Sequence, residues 1–324
     1  MPRKLLVGGI LAATLAPGFA CAATPRDTPP GNDEQDEIKV TGIRSLTSDK
    51  IPDGVMNAAQ SIDVISKKTL DDQGTTRLQD ALKNVPGITL NAGEGSARGD
   101  TVNLRGFPAF NDFFLDGIRD AAITSRDSFD LESIEVLKGP SAVLFGRGST
   151  GGAINQVSKA PTLAPIYAAT LMAGTKSLAR ATADIDMPIS SNAAIRVNAM
   201  GEHSQVTDRD DVFHHRWGFA PSISWGIGGR DQLTLSYYHF EENNRQDTGI
   251  PFVNGRPAPV KRSNFYGLDS DRARSNVDLV TARYRHSFTD DIQISNTFRY
   301  ANYHFLNRVN SAHFGYFDSP GAPT

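Results

Sequence analysis

The chain has 324 residues, 39% of them hydrophobic and 21% charged, which is enough for more than one packed domain and too apolar for disorder throughout. A formal net charge of −3, with no basic block and no basic patch interleaved with aromatics, argues against a nucleic-acid partner. The single cysteine, Cys21, excludes a disulfide framework and a cysteine-type zinc site.

Arg3 and Lys4 precede an apolar run from Leu5 to Leu15, a helix break at Pro17-Gly18 and a small-x-small site at Ala20-Cys21-Ala22. That order predicts a signal peptide over residues 1–22 and a mature chain beginning near Ala23. A lipoprotein reading of Cys21 is weaker, because Gly18-Phe19-Ala20 lacks the usual aliphatic residue before the cysteine. The apolar run is too short to span a bilayer and no other run reaches ~18 residues. If the mature chain crosses a membrane, it does so as a β-barrel.

Residues 23–58 form a tail. Thr24 to Asp36 is rich in Pro, Gly, Asn and acids, and cannot bury enough apolar surface to order itself. The extended run Glu37-Ile38-Lys39-Val40-Thr41 follows. A strand-forming pentapeptide on a flexible tether suits addition to the sheet edge of a partner; the competing reading is an ordinary strand pairing within the next domain.

Residues 59–160 read as a small α/β domain. Gln60 to Ile65 is a strand, Ser66 opens a short helix, and Leu78 to Val85 begins another that Pro86-Gly87 stops. Leu78, Ala81, Leu82 and Val85 at i, i+3, i+4 and i+7 make one apolar face, which predicts packing. Asp116-Gly117 between apolar residues predicts a hairpin. From Ser133 to Lys159, two β-prone runs flank a connector holding Gly139-Pro140, Gly146, Gly148, Gly151 and Gly152, and predict strand, turn, strand. Gly146 to Gly151 matches G-x-G-x-x-G literally, but a β-branched run follows where a dinucleotide site needs a helix.

After Pro161 the texture becomes alternation. Odd positions from His215 to Ile227 are large and mostly apolar, and Gly218, Ala220, Ser222, Ser224 and Gly226 between them are small; Ile195, Val197 and Ala199 alternate with Arg196, Asn198 and Met200. Runs near 166–174, 178–188, 193–203, 214–226, 231–241, 276–287 and 291–304 each match the 9 to 11 residues of a tilted membrane strand, or slightly more. Short connections at 189–192, 227–230 and 287–290 alternate with longer ones at 205–213 and 243–275, as an up-and-down wall requires, with the short turns periplasmic. The short connection at 174–177 is the weak point. A soluble β-sandwich has the same periodicity.

Glu135 through Asn155 resembles, almost position for position, the segment that closes the plug of TonB-dependent outer-membrane receptors, and Leu78 to Ile88 and Val102 to Asp120 resemble two further plug segments. The resemblance implies an α+β plug domain followed by an incomplete antiparallel transmembrane β-barrel, residues 161–324 supplying about seven of the family's 22 strands. It also implies that Arg105-Gly106, Gly139-Pro140, Gly146, Gly151 and Gly152 are structural plug positions, and that Glu37 to Thr41 is the TonB box. Such a chain is the N-terminal part of a receptor and is not transport-competent alone. The tail is too short for the signalling domain that transducing receptors carry.

The stretches from Asp116 to Ser141 and from Gly201 to Gly228 look most like receptors for ferric catecholate siderophores. The implied partners are TonB, a ferric siderophore and outer-membrane lipid, after export to the cell outer membrane. Iron arrives as a chelate, so no cofactor and no catalysis are implied. Haem, cobalamin or a glycan remain alternative cargoes, and a soluble nucleotide-binding oxidoreductase is the alternative from another class.

An anionic catecholate chelate calls for guanidinium groups and aromatic faces. The loops Asn91 to Asp100, Phe107 to Phe113 and Ala121 to Ser128 offer Arg98, Phe110, Phe113, Arg119 and Arg126 as ligand-binding candidates. The competing reading for each arginine is an ion pair with a neighbour such as Asp100, Asp120 or Asp127. Arg245, Arg256, Lys261, Arg262, Phe265 and Tyr266 in the long loop would steer an anion inward. His203, His214 and His215 are a weak metal constellation, because adjacent strand residues point to opposite faces and at most one of 214 and 215 joins a shared site. No metal site is assigned.

Overall fold

The computed structural model describes residues 61–91, 99–120, 122–139, 145, 150–253, 255–289 and 292–310, together with the backbone of residues 11–14. The rest of the leader, the tail with Glu37 to Thr41, Arg98, Pro140 and Gly146 lie outside the described residues.

In chain order, Leu11–Thr14 (β1) is a four-residue strand. The α/β unit starts with Ser61–Ser66 (β2), and Ser66 caps the helix Lys67–Asp72 (α1) by accepting the Thr69 N–H at 3.3 Å. The helix Leu78–Leu82 (α2) follows, with Leu78, Ala81, Leu82 and Val85 buried as their spacing predicts. Next come Ile88–Leu90 (β3), Val102–Leu104 (β4), Phe107–Pro108 (β5), Phe113–Leu115 (β6), Ile118–Arg119 (β7), Leu131–Lys138 (β8) and Gly152–Ser158 (β9). Asp116 and Gly117 both take positive φ, 52° and 76°, making the tight β6–β7 hairpin that Asp-Gly predicts.

Strand β2 lies at the edge of a sheet ordered β2-β8-β9-β6-β7, and β3, β4 and β5 form a second small sheet. The core lies under both, with Leu78, Leu82, Val102, Leu104, Phe113, Ile134, Val136 and Ile154 fully buried. Glu135 is equally buried and stands opposite Asn155, whose amide donates to it at 2.9 Å. This pairing explains two polar residues at the centre of an otherwise apolar pair of strands.

The glycine positions are demanded by close approach. A Cβ on Gly151 would meet the Leu104 carbonyl oxygen at 2.2 Å, and one on Gly152, at φ +143°, would meet that of Leu137 at 2.0 Å. Gly139 takes φ +99° and donates to the Gly151 carbonyl. Arg105 and Gly106 make the β4–β5 turn with φ of 54° and 84°. Arg105 acts through this backbone, donating to the Gly87 carbonyl at 2.7 Å, while its side chain is exposed rather than tucked inside the domain.

The alternating region forms one antiparallel sheet of long strands: Ile166–Ala173 (β10), Ala179–Ser190 (β11), Ala193–Gln205 (β12), Phe213–Trp225 (β13), Asp231–Arg245 (β14), Arg272–Ser287 (β17) and Gln293–Arg308 (β18). The small hairpin of Phe252–Val253 (β15) and Arg256–Pro257 (β16) sits in the long connection before β17. Strand β1 lies along the β10 edge, and the sheet does not close. The seven expected runs correspond to the seven long strands, and the 174–178 connection is as short as the sequence indicates. Trp217, Phe219, Leu235, Val280, Phe298 and Tyr300 are exposed on one face, while Asp186, Arg196, Asn198 and Ser224 are buried on the other, which holds the α/β unit.

Candidate functional site

Three polar contacts seat the α/β unit in the wall. Asp127 accepts from Arg180 at 2.6 and 2.9 Å and from Arg216 at 3.2 Å; both arginines also bond Glu202, and all four side chains are buried. Lys159 bonds the Phe129 carbonyl, Asn198 and Asp184, and Arg196 forks onto Asp184 with two bonds of 2.8 Å. On β18, Arg299 donates to the Leu115 carbonyl at 2.9 Å and to Asp116 at 3.2 Å, and Tyr303 donates to Asp120 at 2.9 Å. Between these contacts the Phe129 ring fills a place where a Cβ on Gly218 would come within 2.8 Å of it, and stacks on Tyr238 at 5.7 Å.

Two cavities of about 50 and 30 Å³ run along this seam, sharing Leu115, Asp130, Tyr238 and Leu279 in their linings. Each has room for water and not for a ligand of several hundred Å³. Above the seam, at the end of the sheet where the long connections 206–212 and 246–271 lie, are the loops that carry the remaining candidates.

Residues 99–100 and 122–127 are held side by side there. Gly99, at φ +117°, lies so close to Thr124 that a Cβ would meet its backbone at 2.6 Å, and the Asp100 N–H donates to the Thr124 carbonyl. Arg126 organises this pair rather than reaching for solvent. Its guanidinium donates to Asp120 and to the Ala122 carbonyl at 2.8 Å and to the Thr124 carbonyl at 3.0 Å, and lies over the Phe113 ring at 4.4 Å. The side chain is 6% exposed and Phe113 is 0% exposed. Both residues therefore leave the set of ligand-binding candidates: Phe113 is core because β6 pairs with β9 in the middle of the sheet, and Arg126 is consumed by its own loop. Burial would lower the Arg126 pKa, but Asp120 and Asp100 outweigh it and hold it above the ordinary value.

Asp100 accepts the Arg126 backbone N–H at 2.8 Å, and the guanidinium stands 3.7 Å away. That guanidinium is committed to Asp120, so burial wins over attraction and pushes the Asp100 carboxyl up to about 7.

Phe110 and Arg119 remain at the surface. Phe110 is 37% exposed, and Phe107 beside it is more so. Arg119 is half-buried, lying over the Phe114 ring at 5.0 Å, donating to the Asn111 carbonyl and standing 3.9 Å from Asp112. Arg119 thus bonds the residue that follows Phe110 in the chain, whereas Arg98 lies outside the described residues.

In the long loops, Arg209 joins the two by pairing with Asp247 and donating to the Arg262 carbonyl. Arg245 lies over Phe213 at 5.4 Å and Phe265 at 5.9 Å, which makes it a packing residue of the loop layer rather than a free steering charge. The wall-facing partners Arg180, Arg196, Arg216, Arg299 and Tyr303 escaped the sequence reading. Their one signal is parity, since each falls on the inward set of its alternating strand.

The comparisons with known proteins agree with this geometry. Residues 54–153 match the family model described as TonB-dependent Receptor Plug Domain. The chain is 39% identical over 264 residues to the catecholate siderophore receptor Fiu of Escherichia coli K12, covering 76% of this chain and 35% of Fiu. It is 28% identical over 328 residues to the ferrioxamine B receptor of Salmonella typhimurium LT2, covering 95% of this chain and 45% of that receptor. The crystal structure of the siderophore receptor PiuA from Acinetobacter baumannii superposes with a TM-score of 0.73 at 34% identity, covering 78% of this chain and 38% of PiuA. The closed form of Fiu gives 0.73 at 37% identity over 78% of this chain and 38% of Fiu. The chain spans about a third of the length of the first of these relatives.

Proposed function

We propose, from the premise that this chain is the plug domain and opening barrel strands of a TonB-dependent receptor, that the protein takes up a ferric siderophore across the outer membrane, with a catecholate chelate as cargo. The observation that carries the reading is a plug seated by buried ion pairs against a wall whose outer face is apolar, on a chain 39% identical to a catecholate receptor. A plug so placed blocks the lumen, and cargo passes only if the plug moves. Glu37 to Thr41 serve as the strand through which TonB pulls, and its backbone pairing needs little from the side chains. Because the iron is already saturated by the siderophore's oxygens, the protein supplies recognition and gating and no covalent chemistry. Arg119 and Phe110, with Arg98, provide the cation and ring that a catecholate face requires.

The likeness to the ferrioxamine B receptor keeps a hydroxamate chelate as the second reading. Binding of a linear ferric catecholate and of ferrioxamine B to the purified full-length receptor, followed by tryptophan quenching, separates the two. Saturable catecholate binding with at least tenfold preference supports the proposal, and preference for ferrioxamine B overturns the cargo.

A further inference from the structure

His203 on β12 and His215 on β13 stand directly opposite each other in the strand register, on the outward face of the wall and away from the plug. His215 is exposed and His203 half-buried, and Nδ1 of His203 lies 3.1 Å from Nε2 and 3.3 Å from Nδ1 of His215, with ring centroids 4.3 Å apart. Two nitrogens bound to one ion at 2.0–2.1 Å are separated by about 2.9 Å at a right angle and about 3.4 Å at the tetrahedral angle. The observed separations fall between these limits, so two rings now within hydrogen-bond reach of each other also have the nitrogen spacing of a chelate.

The surroundings favour that use. The ladder fixes both Cα atoms, and the Phe213 ring meets His215 edge-on at 5.2 Å and restrains it. Ala179 flanks His203 on the far side and leaves that approach uncrowded. Asn243 flanks His215 on β14, and the nearest basic side chain along this row, Arg274, is held one strand further on by a 3.4 Å bond to the Asn243 amide oxygen. His214 points to the opposite face and takes no part.

We propose that His203 and His215 form a two-histidine site for a borderline divalent ion, Zn²⁺, Ni²⁺ or Cu²⁺. Imidazole donors select these over Ca²⁺ and Mg²⁺. Among the described residues no third histidine, cysteine or carboxylate converges on the pair, so the ion keeps open positions on the outward side. It lies across the wall from the cargo route. Its direct consequence is to cross-link β12 to β13 beside the long connections, two residues from Trp217.

The test is a titration of metal-stripped, tag-free full-length receptor with Cu²⁺ and, separately, Zn²⁺, followed by calorimetry and by the electron paramagnetic resonance of bound Cu²⁺. One saturable equivalent with a two-nitrogen signature is expected. His203→Ala and His215→Ala should each weaken it at least tenfold, the double variant should add little, and His214→Ala should leave it unchanged. His203→Gln keeps the test valid where the alanine variant fails to insert. The proposal is overturned by absence of a saturable equivalent, or by binding that survives both single substitutions. Neither result bears on the cargo, which is assayed separately.

Discussion

Replacing Asp127 with alanine should loosen the plug from its wall. The Asp127 carboxylate has no exposed surface, receives three bonds from Arg180 and Arg216, and also accepts the Phe129 N–H at 3.0 Å. With Glu202 the four side chains are formally neutral; without Asp127 two buried guanidinium groups share one carboxylate. Breaking a buried pair from one side costs about 3–5 kcal/mol, because the remaining charge is left uncompensated. With a urea slope of about 1–2 kcal/mol/M for a domain of this size, the midpoint for plug release should fall by about 1.5 M or more. The assay is urea titration of full-length receptor carrying a fluorophore on the plug, with the barrel kept folded in detergent. A double-mutant cycle with Arg216→Ala should give a coupling above about 1 kcal/mol. A midpoint shift below about 0.5 M with negligible coupling would refute the reasoning, and the ion quartet would then be only a by-product of packing.

Asp100 gives a pH dependence. Its folded pKa of about 7 lies above the ordinary carboxylate value, so between the two the folded plug binds more protons than the unfolded chain, and stability falls as pH rises through that window. Asp100→Asn, which retains an acceptor for the Arg126 N–H, should flatten plug stability between about pH 4 and 7; an unchanged profile contradicts the assignment. Arg119→Ala should weaken ferric catecholate binding about tenfold with a loss of plug stability of about 1 kcal/mol or less, whereas Arg126→Ala should destabilise the plug by about 3 kcal/mol or more through its stranded carboxylates. Equal stability losses in the two variants would contradict the separation of their roles. Gly152→Ala adds a Cβ 2.0 Å from the Leu137 carbonyl at a φ that L-residues avoid, and should leave the plug open to limited proteolysis.

The parts legible in the sequence are those whose cause is local. Alternation along a strand records that one face is apolar and exposed and the other packs on the plug, so β10 to β14, β17 and β18 could be placed within a few residues. Asp116-Gly117 announces its hairpin because two consecutive positive φ angles restrict the residue choice. The helix face of Leu78, Ala81, Leu82 and Val85 is likewise a matter of spacing. The seating contacts are not local. Asp127 meets Arg180 and Arg216 at separations of 53 and 89 residues, and Arg299 meets Leu115 at 184, distances on which periodicity carries no information. The candidate site was half legible for the same reason. Phe110 lies in the exposed turn after β5 and Arg119 at the end of the edge strand β7, both at the surface, but the fate of Arg126 depended on its loop folding back to offer the Ala122 and Thr124 carbonyls, and that of Phe113 on β6 pairing with β9.

The measurement that bears most directly on the account is iron-55 uptake from a linear ferric catecholate, in cells whose only receptor is the full-length protein, compared with the same receptor carrying Val40→Pro. Proline removes a backbone N–H from the extended segment on which TonB is proposed to pair. Uptake by the unmodified receptor that is lost in the proline variant, with surface binding retained, is the predicted result. Equal uptake by both forms, or none from either despite correct insertion, would contradict it.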